Sequence, residues 1–440
     1  AGLSLPAVGR GRAGNARRAE TPLAVPAGQG LTLRADLLAT AAGPDGALAV
    51  VDRWYARHGV PAILPYPRGE ARAEIAFSLG AYAKERALWN PEWGKWRAGL
   101  IAGGPRTPTE APAFELAFGA QLLGETPEAA QARALAAEVW AVPPAELSRR
   151  IQHRTDMGAL LAKAREARSL IARQHADGTW RFGGEKAGDW PAAGVNYAVL
   201  GPVGASEVGL TARAATAVLE YALLSADGEA RTAGMKALAA MRQFRVPRAA
   251  QVWEVPVHTP DILASAQAVD AYLAGYRLTG DARLLQDAIY WARTGLPFVY
   301  VWHPTDQPAM QGATIPVFGG TSYVLSWLAV AVQWNGLAYS DALFDLAEVD
   351  SSFPWRQVAE SILRSAMYQQ ASEGERLGQW PDAMNFIAGR RGPHGQTPPC
   401  FRPSTVLQQT WRVMGTPATP QVVAVRRGDE VIALRGTAAL

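Results

Sequence analysis

Four segments of the chain put titratable side chains beside aromatic ones. Gln251–Asp261 (QVWEVPVHTPD) is the densest: Trp253 adjoins Glu254, and His258 and Asp261 follow within a few residues. A carboxyl can give or take a proton, an imidazole can act as base or hydrogen-bond donor, and an indole can pack on the C–H face of a sugar ring. In an extended segment, alternation puts Trp253 and Val255 on one face and Glu254 and Pro256 on the other. Gly378–Phe386 (GQWPDAMNF) sets Asp382 directly after Trp380-Pro381. Asp189–Glu207 (DWPAAGVNYAVLGPVGASE) carries Trp190, Asn196, Tyr197 and Glu207. The fourth segment runs from Trp302 to Asn335 and includes Pro308–Thr321, which has no helical period and reads as a long ordered loop, a kind of segment that often carries function.

Each of these residues also has a purely structural reading. Asp261 is a helix-start acid beside Thr259-Pro260, with Thr259 as the cap. Glu254 is a salt-bridge partner for Arg245 or Arg248. Asp382 caps a short helix through Ala383–Ile387, and Asn335 caps the helix that follows it. Trp291 and Trp411 fall inside helical segments and are expected in the core.

Composition narrows the function further. The chain has 440 residues, a net charge of +4 and 49% hydrophobic residues, enough to bury a large core and too little charge for a nucleic-acid partner. Lysine occurs only at Lys84, Lys95, Lys163, Lys186 and Lys236, so the basic residues are mostly arginine. The single cysteine, Cys400, excludes an intrachain disulfide framework and a Cys-based zinc site. The 6 histidines are scattered without an HxxxH or HxH pair, so no metal is expected. Neither a phosphate-binding loop nor a serine nucleophile elbow is present, and no cofactor is expected. No apolar run approaches the roughly 18 residues of a membrane helix. Ala1–Ala19 lacks an apolar stretch and is expected to carry no signal peptide.

Helices must position these residues. Residues 1–30 read as an extended lead-in, and helical spacing dominates from about Glu74. Expected helices are Ala71–Leu88, Glu110–Leu123, Glu128–Trp140, Asp156–Gln174, Ser206–Ser225, Glu229–Phe244, Thr259–Leu278 and Asp281–Thr294, followed by Thr321–Val332, Asn335–Val349, Pro354–Gln370 and Ser404–Met414. Short turns such as Ala226-Asp227-Gly228 and Thr279-Gly280 join them in pairs, and Gly280 supplies the left-handed residue that ends a helix. The first members of the pairs are rich in small residues and apolar most of the way round, as inner helices are; the second members carry more charge. Gln421–Leu434 reads as strand, turn, strand, which either docks on the helices or opens a β domain.

Two of these turns resemble known ones. Gln174–Trp180 (QHADGTW) is similar to the Gln-x-x-Asp-Gly-x-Trp turn that recurs in α/α-toroid proteins. Thr279–Arg293 (TGDARLLQDAIYWAR) resembles a hairpin turn of six-hairpin glycosidases and sugar epimerases of that shape. The resemblance covers roughly residues 70 to 415. It implies an all-α fold, an (α/α)6-type toroid over 31–415, with the short β-strand pair at 416–440. Toroids of this kind also include triterpene cyclases and thioester domains, but no Asp-x-Asp-Asp run occurs here and Cys400 sits in Pro-Pro-Cys-Phe. The carbohydrate-active members remain, so a poly- or oligosaccharide is the expected partner, and its class implies a secreted or periplasmic setting.

The leading expectation is an inverting glycoside hydrolase, which needs two carboxyls roughly 6.5–9.5 Å apart. Glu254 is the candidate acid and Asp382 the candidate base, with Trp190, Trp253, Trp302 and Trp380 as stacking surfaces. The alternative is a polysaccharide lyase. Asn196-Tyr197 resembles the Asn-aromatic segment of toroid lyases, in which Asn neutralises a uronate carboxylate while His or Tyr removes a proton; His258 and Tyr197 would serve here. A non-catalytic sugar-binding or scaffold role is the third reading.

Overall fold

The structure is a computed structural model that describes residues 26–30, 32, 43–98, 107–147, 157–184, 200–253, 255–317, 330–384, 386, 397–415, 422–427 and 430–436. The described helices are α1 Gly43–His58, α2 Ala71–Leu79, α3 Ala111–Leu123, α4 Pro127–Trp140, α5 Met157–Ala172 and α6 Val208–Ser225. They continue as α7 Gly228–Met241, α8 Ile262–Thr279, α9 Ala282–Gly295, α10 Gln333–Ala347, α11 Trp355–Gln369 and α12 Ser404–Val413. Small antiparallel sheets join β1 Trp89–Asn90 to β2 Lys95–Arg97 and β3 Pro108–Thr109, β4 Trp380–Pro381 to β5 Pro399–Phe401, and β6 Val422–Arg427 to β7 Glu430–Gly436.

The helices pair as hairpins because the turns are capped as their sequences dictate. Ala226 and Gly280 adopt left-handed φ values of 58° and 73° at the ends of α6 and α8. Asp227 then caps α7 by accepting from the Ala230 N–H at 2.9 Å, and Asp281 caps α9 by accepting from the Arg283 N–H at 2.9 Å. Thr126 does the same for α4 through the Ala129 N–H. Asp261, not Thr259, caps α8: its carboxylate accepts from the Ala264 N–H at 2.8 Å and the Ala250 N–H at 3.1 Å.

Helices α6, α8 and α10 pack side by side as the inner layer, with α7, α9 and α11 each folded back outside its partner. The resulting fold is all-α, a toroid-type array of α/α hairpins with a short β pair at its C-terminal end. Small residues let the inner helices approach closely: Ala264, Ala268, Ala271 and Gly275 of α8 are buried, and the Tyr272 hydroxyl donates to the carbonyl of Leu238 on α7. In contrast, α9 buries one face only, through Leu284, Ala288, Trp291 and Ala292. Strand β6 lies beside α5 and α6.

Three expectations need correction. A helix, α1, precedes the first expected one; its Asp45 and Asp52 pair with Arg245 and Arg293 of distant segments, contacts that no local pattern reveals. Helix α2 stops at Leu79 and tightens into a short turn, Gly80–Tyr82, in place of continuing to Leu88. The expected helix Thr321–Val332 lies largely outside the described residues, and its last residues are extended, with Ala331 bridged to Met384.

The Gln174–Trp180 turn is a structural clasp. The Gln174 amide donates to the carbonyls of Gly178 and Ala233, Asp177 accepts from Thr179, and the buried Trp180 indole donates to the Leu170 carbonyl. Gly178 has φ +90°, and a Cβ there would lie 2.8 Å from the Lys236 carbonyl oxygen. Gly178→Ala is therefore expected to destabilise the fold by about 1–3 kcal/mol, measured as a lower urea midpoint at unchanged m value.

Candidate functional site

The N-terminal end of α10 builds the site. The bridge between Ala331 and Met384 fixes the Asp382 loop against the start of this helix. Trp334, in the first turn, donates its indole N–H to Asp382 Oδ1 at 3.1 Å. The Trp253 ring lies 6.0 Å from the Trp334 ring, at 30° between planes, and is 41% exposed. Burial pushes the Asp382 carboxyl above its ordinary range, and the Trp334 hydrogen bond opposes that rise only in part. The Cys400 thiol is pushed up to about 11, by burial first and then by the negative charge of Asp382.

Beneath this mouth a cavity of about 440 Å³ follows α10 and α12; its wall includes Trp334, Phe401, Arg402, Gln408 and Asp341. Trp334 belongs to both features, since its N–H holds Asp382 and its ring borders the cavity.

Farther along, α10 presents one accessible stripe, Trp334, Ala338, Asp341, Asp345 and Glu348, while its other faces are buried. Arg412 of α12 reaches Asp341 at 2.9 Å and Asp345 at 2.5 Å, and Arg277 of α8 reaches Asp345 at 2.9 Å. The Asp341 side chain is 59% exposed; partial desolvation raises its carboxyl, and the pull of Arg412 opposes that rise. Asp270 of α8 is raised well above the ordinary range, by desolvation first and then by Asp345, Asp341 and Glu220. Sequence reading did not single out these acids. Their signal was available: a carboxylate in the middle of an otherwise apolar inner helix (LASAQAVDAYLAG) must face water, another charge or a ligand.

The residues named from sequence fall in several places. Glu254, Trp190, Asn196 and Tyr197 lie outside the described residues. Trp253 and Asp382 meet through Trp334. Asp382 caps no helix among the described residues; β4 precedes it. Trp380 must be corrected as a stacking surface. It is 2% exposed, its indole N–H donates to the Arg402 carbonyl and its ring packs on Phe401 at 4.8 Å, so β4–β5 pairing has used its faces. Trp302 is 58% exposed. His258 is held through Nδ1, 2.9 Å from Glu207 Oε1, while Arg248 approaches the same oxygen at 3.6 Å. Asn335 is not a cap: it is buried inside α10, where its amide donates to the Gln251 side chain. Among the described residues no group of His, Cys, Asp or Glu is arranged to hold a metal ion, and no helix is long and apolar enough to cross a membrane.

No family model and no curated protein matches the chain. Among solved structures it is similar to the unsaturated glucuronyl hydrolase of Bacillus sp. GL1, with 14% identity over 80% of this chain and 97% of that one and a TM-score of 0.45. An unsaturated glucuronyl hydrolase specific for heparin has 14% identity over 78% of this chain and 98% of that one, with a TM-score of 0.46. A polysaccharide lyase has 11% identity over 78% of this chain and 53% of that one, with a TM-score of 0.35. The likeness is one of helical architecture, and the chemistry rests on the site's own residues.

Proposed function

We propose that the protein is a carbohydrate-active enzyme that cleaves glycosidic bonds in a poly- or oligosaccharide by hydrolysis. The observation that carries this reading is Asp382: a carboxyl with a raised proton affinity, held by the Trp334 indole and flanked by the accessible Trp253 ring. A sugar ring stacked on Trp253 would bring its glycosidic oxygen toward a carboxyl that keeps its proton to higher pH than an ordinary aspartic acid. That suits Asp382 to protonate the leaving oxygen, reversing the base role expected from sequence. The partner that activates water is Glu254 or Asp341; at Asp341 the ion pair with Arg412 opposes the rise of its carboxyl and pulls it back toward the ionised form a base requires.

Trp334→Phe removes the one side-chain donor to Asp382 among the described residues. The carboxyl then holds its proton more tightly, so the alkaline limb of the pH–rate profile is expected to move to higher pH. The lost positioning should lower kcat/KM by about tenfold. An unmoved limb would mean that Asp382 is not the titrating acid.

The His258–Glu207 pair favours a second reading, β-elimination on a uronate polymer. Glu207 fixes the ring through Nδ1, and the 58% exposed imidazole is available as a base. Purified protein screened against neutral and uronate polysaccharides, read by reducing ends and by the ultraviolet absorbance of unsaturated uronates together, separates the readings. Reducing ends without absorbance support hydrolysis. Both signals rising would support elimination and move the catalytic role to His258. Silence in both would favour a sugar-binding role without catalysis. The substrate class also supports a secreted or periplasmic setting.

A further inference from the structure

The cavity wall holds a cation that has no counter-ion among the described residues. Arg402 follows β5, and the next residue, Pro403, leads into α12. Its backbone is fixed, because its carbonyl accepts from the buried Trp380 indole at 3.1 Å. Its guanidinium, however, forms no ion pair with any described carboxylate, and Nη1 is buried without a hydrogen-bond partner. This is costly for an arginine, which presents five donors and cannot give up its charge.

None of the described carboxylates nearby is within ion-pair distance of Arg402. Asp341, in the same wall, is paired with Arg412 at 2.9 Å. Glu115, beneath the wall, accepts from the Tyr82 hydroxyl, and Arg402 is close enough to Tyr82 to oppose the rise in its phenol pKa. The rest of the wall is what a sugar ring needs: an indole from Trp334 and hydrogen-bonding groups from Ser404, Thr405 and Gln408. A neutral sugar would leave the guanidinium unpaired, whereas a sugar carboxylate can take its donors as a fork.

We propose that Arg402 is the carboxylate anchor of this cavity, so that the subsite beneath Trp334 takes an acidic sugar, a uronate. The inference rests on reading this cavity as the saccharide site. It does not depend on whether the bond is hydrolysed or eliminated.

Binding tests it apart from turnover. Oligosaccharides of galacturonate, of alginate and of hyaluronan are each paired with the carboxyl-reduced form of the same length. Affinity is read by calorimetry for the wild type, Arg402→Met and Arg402→Lys, each checked for an unchanged melting transition. The wild type is expected to bind at least one acid form about ten- to a hundredfold more tightly than its reduced partner. Arg402→Met should abolish that ratio without weakening the reduced form, and Arg402→Lys should restore part of it.

A wild type that favours no acid form over its reduced partner overturns the assignment. So does an Arg402→Met variant that keeps the preference, or one that weakens both forms equally. If the acid preference depends on Arg402 but no cleavage is detected, the hydrolase reading fails and the anchor stands. If neutral glycans are cleaved with no acid preference, the anchor fails and the hydrolase reading stands.

Discussion

Replacing Asp382 by Asn is expected to lower glycosidic-bond cleavage by about 10²–10⁴-fold with little change in melting temperature. The two side chains have nearly the same shape, and the Asn oxygen can still accept the Trp334 N–H, so the loop keeps its hold on α10. What disappears is the proton. Because burial raises the Asp382 pKa, the acid form persists above the ordinary range and is lost as pH rises through the raised value. Wild-type activity should therefore fall on the alkaline side, and in the Asn variant the residual rate should no longer show that limb. Substrates with good leaving groups need less protonation, so they should recover much of the loss. Sugar release that is unchanged in Asp382→Asn would remove this residue from the chemistry.

The second large effect concerns stability. Asp261 is fully buried, and desolvation lifts its pKa to about 7 against the hydrogen bonds from the Ala264 and Ala250 N–H groups that pull it down. The unfolded chain holds this proton with the ordinary value of 3.8. The folded state thus binds the proton more tightly. Its contribution to stability is fully present below the unfolded pKa and is lost as pH rises toward about 7, flat beyond that. At about 1.4 kcal/mol per unit, a shift of roughly three units sets an upper bound of about 4 kcal/mol lost between mild acid and neutral pH. Urea unfolding of the wild type and Asp261→Asn from pH 4 to pH 8 measures it. The variant loses the acceptor for the Ala250 N–H, which lowers stability by a constant offset, but its pH slope should be flatter. Parallel slopes would show that Asp261 does not titrate in this window.

The hairpin architecture was legible because its determinants are local. Asp227, Asp281 and Thr126 cap helices within three residues of themselves, and Gly280 ends α8 in the left-handed conformation. The alanine-rich inner helices follow from helical periodicity, which a single segment carries by itself. Helix α1 escaped because its ion pairs and its packing partner Phe353 come from residues far along the chain.

The site was legible only in part. Trp253 and Asp382 were named from sequence, but their meeting was not, since Trp334 joins them from a third segment. Trp380 read like Trp253, as an indole in a connecting segment; pairing with Phe401 across β4–β5 turned one into core, and the absence of such cover left the other open. Asp341 and Arg402 became candidates only when α10 and the segment leading into α12 were brought together, whereas Asp270 carried a signal in its own apolar helix.

By itself, then, the sequence determined the capped turns that pair the helices, that the alanine-rich helices lie inside, and which residue types could do proton chemistry beside a sugar. Those properties depend on neighbours a few positions away. Only the tertiary structure decided which indoles remain open, which carboxyl keeps its proton and which arginine lacks a partner among the described residues, because burial and pairing depend on groups brought together from distant parts of the chain.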